Sequence, residues 1–136
     1  MTITSGAYRN STDLINEALA NLGVLVAGQT PDIEDFNYVL EKLDSIMRML
    51  AGMEICMVAD TDNIPGEWFS ALADIVASEC ATKFGAAGQD LIDLQIKGLG
   101  APPPAGTGPG SGMAAVVLRT INRNRPTYQP QPLLFL

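Results

Sequence analysis

The residue types that most often perform chemistry are scarce in this chain of 136 residues, which has no histidine and only two cysteines, Cys56 and Cys80. Without an imidazole, a general base or a nucleophile-activating pair would have to be assembled from scattered Asp, Glu, Lys or Tyr, and no spacing assembles one. The expectation is a protein that is not an enzyme, with no catalytic residues, no cofactor and no metal site. Two thiols are too few for a disulfide framework or a four-ligand zinc site, and they read as free, core-like cysteines in a reducing compartment. "DTDN" at 60–63 begins like a calcium loop, but Ile64 and Pro65 stand where a ligand and a glycine are required. The alternating glycines of "GTGPGSG" at 106–112 lack the P-loop lysine and, on this reading, a helix after them. "NST" at 10–12 matches a glycosylation sequon, yet no basic segment followed by an apolar core precedes it, so a helix cap accounts for those residues.

Charge is divided unevenly. All fifteen carboxylates lie between Asp13 and Asp93, and residues 1–98 carry only five basic side chains, a net −10; residues 99–136 carry +3 from Arg119, Arg123 and Arg125. An acidic body argues against nucleic acid as the main ligand of the folded part, because phosphate binding needs clustered Lys and Arg. The basic segment "RPTYQPQPLLFL" also holds Tyr128 and four large apolar residues, Leu133, Leu134, Phe135 and Leu136, which predict a receiving surface on a partner. Residues 98–118 carry no charge over a membrane-spanning length but contain four prolines and six glycines, so no membrane span is expected.

The elements that would position these groups are mainly helical. "STDLINEALANLGV" places Leu14, Ile15, Ala18, Leu19 and Leu22 on one face, with Ser11 or Thr12 as cap and Gly23 as stop. A second helix over roughly 31–51 is expected from Thr30 as cap, Pro31 at the first position and acidic residues in the first turn. Its apolar face comprises Ile33, Phe36, Val39, Leu40, Leu43, Ile46, Met47 and Leu50, within an arc of about 140°. The segment 53–64 has room for a short strand at Ile55–Val58 followed by a turn, and the sequence leaves that open. After Pro65 a third helix spreads Trp68, Phe69, Leu72, Ile75, Val76, Cys80 and Phe84 over about 180°, enough to meet several neighbours. Glu79 and Lys83, four residues apart on that arc, are candidates for an intersubunit contact or for pairing with each other. "QDLIDLQIKG" predicts a short fourth helix. The core expected between the second and third helices is Leu40, Leu43, Met47, Leu72, Ile75 and Val76.

Composition changes at "GLGAPPPAGTGPGSG", where ten of fifteen residues are Gly or Pro. This reads as a flexible linker, because glycine loses much entropy on ordering and proline donates no hydrogen bond. Beyond it, "MAAVVLRTINR" has a β-branched run, Val116 and Val117, with Ile121 further on, and reads as a strand without a local partner. The organisation expected is a helical body at 1–97, a Gly/Pro-rich linker at 98–112 and an extended C-terminal arm at 113–136. On that organisation, truncation after Gly112 leaves thermal stability nearly unchanged while abolishing attachment of the arm to its partner. The candidate partner-binding residues are Val116, Val117, Arg119, Ile121, Arg123, Arg125, Tyr128, Leu133, Leu134, Phe135 and Leu136.

Two families are resembled. "LDSIM" at 43–47 is similar to the Asp-Ser-Leu attachment site of acyl carrier proteins, which would make Ser45 the point of phosphopantetheine attachment. In those proteins the serine opens a helix, whereas here it falls mid-helix on the polar face. An ordinary solvated serine in a helical interaction module is the other alternative. More of the chain, roughly 14–88, resembles the head-to-tail adaptor proteins of tailed bacteriophages, also called head completion, tail accessory or packaged-DNA stabilisation proteins. The resemblance rests on "NEALANLGVLVAGQTPDIEDFNYVLEKLDSIMRMLAG" followed by "IPGEWFSALADIVASECATKFG", in the lengths of the helices and the placement of their apolar residues. It implies a virion protein at the head-tail junction, made in the host cytoplasm. It also implies a ring of about twelve copies with a portal protein above, a tail or nozzle protein below and DNA passing through the channel. A terminal segment reaching up to the portal is part of that pattern, and the arm at 113–136 with its "LLFL" anchor fits it. The compressed segment at 53–64 departs from fuller members, which often carry a longer strand-bearing insertion there.

Overall fold

A computed structural model describes residues 8–26, 28–58 and 62–124. Within them the chain is a small, mainly helical bundle. In order, it forms β1 (Tyr8–Arg9), α1 (Ser11–Asn21), α2 (Ile33–Gly52), β2 (Ile64–Pro65) and α3 (Gly66–Cys80). A tighter turn at Ala81–Phe84 extends α3, and α4 (Gly88–Lys97) and α5 (Met113–Asn124) follow. β1 and β2 pair antiparallel, Tyr8 opposite Pro65 and Arg9 opposite Ile64.

The helix ends follow from local chemistry, with two caps displaced from the expected residues. Asn10 Oδ1 accepts from the Asp13 N–H at 2.9 Å and caps α1, while Ser11 is already helical and donates to Asp62 Oδ1 at 3.2 Å. Asp32 Oδ1 accepts from the Glu34 N–H at 3.0 Å and caps α2, so Thr30 and Pro31 lie outside the helix. Both outcomes have one cause: Asn and Asp compete successfully with a neighbouring hydroxyl for the cap. α1 closes at Gly23, whose φ of 78° lets the Gly23 N–H reach Ala20 O and the Val24 N–H reach Leu19 O, each at 3.0 Å. α2 closes with the same pair of hydrogen bonds, Glu54 N–H to Ala51 O at 3.1 Å and Ile55 N–H to Leu50 O at 3.0 Å. Here, however, Glu54 occupies the left-handed position, φ 59°. Ile55 is turned inward against the bundle by that closure; Ile55 and Cys56 are buried and Val58 packs against the core as irregular chain rather than a strand, with Met57 exposed.

α3 is the central element. Ten of its fifteen residues are buried, and it packs against α1, α2, α4 and α5. Leu14, Ile15, Ala18 and Leu19 of α1 and Val39, Leu43, Ile46, Met47 and Leu50 of α2 meet Leu72, Ile75 and Val76 in one continuous core. Leu40 and Ile33 are corrections to the predicted face: they are 44% and 67% exposed. The apolar arc of α2 is wider than the surface its neighbours cover, so the residues at its edge stay outside.

The larger correction concerns residues 98–124. The Gly/Pro segment at 98–112 is packed, with Leu99 and Ala101 buried. Leu99 donates its N–H to Ser78 Oγ at 3.4 Å, and Leu99 O accepts from Gly110 at 2.7 Å and Gly112 at 3.0 Å. Gly108 N–H reaches Ala101 O at 2.9 Å. Absence of side chains makes this possible: a Cβ on Gly98 would lie 2.7 Å from Asp74 O and 2.5 Å from Ser78 Oγ, and one on Gly112 would run into Gly98 O. The glycines that make the segment floppy in isolation let its backbone close onto itself and onto the small-residue surface of α3. That seating launches α5, where a strand was expected. Ala114, Ala115 and Leu118 are buried and Ile121 is packed against the core, so burial against α3 outweighs the strand preference of Val116 and Val117. Arg119 Nη1 donates to Gly110 O at 2.6 Å and ties the helix back to the segment that precedes it.

Candidate interaction surface

The structure separates the sequence-predicted contact residues into distinct places. Val116 and Val117 lie on the outer side of α5, 50% and 46% exposed, with Met113 at 62% and Thr120 also exposed. These four positions have the i, i+3, i+4, i+7 spacing of a single helical stripe. Arg119 and Ile121 turn inward, the first to Gly110 and the second to the core. Arg123 falls within α5. Arg125, Tyr128, Leu133, Leu134, Phe135 and Leu136, and with them the expected "LLFL" anchor, lie outside the described residues.

Glu79 and Lys83 do not pair. The Lys83 ammonium sits over the Tyr38 ring at 5.2 Å, with Lys42 at 5.6 Å from the same ring, and Tyr38 meets Phe84 edge-on at 6.0 Å. The aromatic face outcompetes the carboxylate because α3 tightens at Ala81–Phe84, which rotates Lys83 away from the i, i+4 position it would hold in a continuous α-helix. Glu79 is largely exposed yet close enough to the packed end of α3 that desolvation raises its carboxyl above the ordinary value of 4.5. With Lys42, Ser45, Ile46 and Met49 it lines a shallow hollow of about 180 Å³. Ser45 is thus exposed in the middle of α2, far from a helix start.

A second apolar feature, invisible in the sequence, is a groove of about 390 Å³ where α1 meets the start of α2. Thr12 and Asn16 form one wall; Thr30, Pro31, Ile33 and Phe36 form the other. Asn16 Oδ1 is buried with no hydrogen-bond partner, a state that costs about 1–3 kcal/mol. The outward-facing Ile33 and Leu40, seven residues apart on α2, extend the apolar surface along the helix. The signal available in the sequence was Ile33 at the edge of the α2 arc; what hid the groove was the loop at 28–31, whose path no periodicity specifies.

The remaining candidates resolve to structure. Cys56 and Cys80 are buried, and desolvation pushes both thiols up to about 11, so they are protonated and unreactive at neutral pH. Asp74 accepts from Asn21 Nδ2 at 3.1 Å; burial raises its carboxyl, with Lys97 opposing and Glu17 adding to the shift. A helix does follow "GTGPGSG", contrary to expectation, but the Gly108, Gly110, Ser111 and Gly112 N–H groups are spent on the protein's own carbonyls and form no phosphate cradle. Among the described residues, no cluster of three or more His, Cys, Asp or Glu side chains could hold a metal ion, and no helix is long and apolar enough to cross a membrane.

No protein-family model, curated protein or solved structure matches this chain.

Proposed function

We propose that the protein is a subunit of a head-to-tail adaptor ring of a tailed bacteriophage, a structural component that joins the portal to the tail while DNA passes through its channel. The observation that carries this reading is the uneven charge: residues 1–124, which include the packed α5, hold fifteen carboxylates against seven basic side chains, a net −8, while residues 125–136 hold Arg125, no carboxylate and four large apolar residues. Carboxylates at exposed positions such as Glu34, Glu41 and Asp44 on α2 suit a wall past which a duplex slides, because like charge prevents adhesion. The basic, apolar residues at 125–136 suit an anchor in a portal, where a ring of weak individual contacts becomes durable through effective concentration.

Electron microscopy of the purified chain mixed with its cognate portal ring tests the proposal. The expected result is added density of matching rotational symmetry on one face of the portal, absent with protein truncated after Arg125. Bare portal rings, or tight and salt-sensitive binding of duplex DNA by the free protein, would overturn it.

A further inference from the structure

We infer that the exposed stripe of α5 docks into the α1–α2 groove of a second copy of this chain, as the repeating contact of the assembly; the inference rests on the ring proposed above and names its interface. Met113, Val116, Val117 and Thr120 present a helical ridge to solvent. Recognition of a helix through anchors at this spacing uses an apolar groove of matching length. Pro31, Ile33 and Phe36 line an apolar groove, and the exposed Leu40 carries apolar surface on along α2.

Three observations select a second copy. First, the two surfaces cannot meet within one subunit: α5 is fixed by its opposite side, Ala114, Ala115 and Leu118, onto α3, whereas the groove is built from α1 and α2. Second, the charges are complementary. The groove residues come from a stretch that carries Asp13, Glu17, Asp32, Glu34 and Asp35 with no Lys or Arg between Arg9 and Lys42, while no carboxylate follows Asp93 and the α5 sequence carries Arg123 and Arg119, the latter donating to Gly110 O. Third, Asn16 Oδ1 lies in the groove wall without a donor, and an entering polar group can supply one. Because ridge and groove are separate surfaces, the contact can repeat head-to-tail from copy to copy and close into the ring that the adaptor reading requires.

Two exposed-site variants of the full chain test this by sedimentation velocity. Ile33→Asp disables the groove and Val117→Asp disables the ridge; circular dichroism melts within about two degrees of the parent show that each is folded. The parent is expected to form oligomers whose population falls with added salt. Each variant alone should be monomeric, with affinity weakened at least about tenfold. An equimolar mixture should yield a heterodimer and nothing larger, since one intact ridge and one intact groove remain. Variants that assemble like the parent, a mixture that stays monomeric, or a parent that is monomeric at every concentration would overturn the interface. Portal rings decorated by the Val117→Asp chain would overturn this interface while leaving the adaptor reading intact; the heterodimer together with bare portals would do the reverse.

Discussion

Helices α3 and α5 lie against each other, yet one is enclosed and the other is divided. α3 is surrounded by four helices and buries two thirds of its residues, ten of fifteen. α5 buries a stripe of small residues and one leucine on α3, and holds a second apolar stripe out in solvent. An apolar residue on α3 therefore serves stability, whereas on α5 its role depends on which side of the helix it occupies. The difference shows why an apolar count alone does not distinguish a core helix from a docking helix.

The sharpest way to break the comparison is to remove α5. Truncation after Gly112 uncovers the α3 surface under Ala114, Ala115 and Leu118 and is expected to lower stability by at least about 3 kcal/mol, as read by urea denaturation. An unchanged midpoint would return α5 to the status of an independent arm. Within the intact chain, Leu72→Ala on α3 should cost about 2–5 kcal/mol, because Leu72 is fully buried and its neighbours can relax only partly into the space.

Gly112→Ala is a finer probe of the joint between the two helices. Its Cβ meets the Gly98 carbonyl, which itself accepts from the Ala115 N–H, so the seat of α5 must shift; about 1–3 kcal/mol is expected to be lost, with α3 otherwise untouched. A neutral result would show that the Gly/Pro segment does not hold the helix.

Glu79 gives a charge-based reading of α3. Desolvation raises its folded carboxyl above the unfolded value, so the folded state retains the proton to higher pH, and this residue's contribution falls as pH rises through that interval. Glu79→Gln should flatten thermal stability above about pH 4.5 and leave the variant slightly more stable than the parent at pH 7. A steeper profile in the variant would mean that the carboxylate is favourably held. The smallest effect belongs to the outer side of α5: Val117→Ser should change the stability of the monomer by no more than about 0.5 kcal/mol. A larger loss would place Val117 in the core.

Much of the body was legible in the sequence because local rules and burial agree there. Val39, Leu43, Ile46, Met47 and Leu50 recur at helical spacing and are buried; Gly23 stops α1 as glycine does where φ must be positive. The caps were misplaced by one or two residues, since Asn10 and Asp32 sit beside hydroxyls that are almost as suitable. Of the candidate contact surface, Val116 and Val117 could be singled out as apolar residues lacking a local partner. The groove could not, because it arises between α1 and a loop.

The sequence by itself determined the helical class, the first four helices and the division of charge, all of which depend on side-chain type and short-range spacing. Only the tertiary structure decided that Ile33 and Leu40 face out, that the Gly/Pro stretch packs, and that "MAAVVLRTINR" is a helix. The physical reason is common to all three. A local preference of a few tenths of a kcal/mol per residue is overridden by the several kcal/mol available from burying Leu118, or is left idle where no neighbour arrives to bury Ile33. Which of these occurs depends on residues distant in the chain. Gly98 and Gly112 can be seen as close-packing positions only once Asp74, Ser78 and the backbone of the segment itself are in place around them.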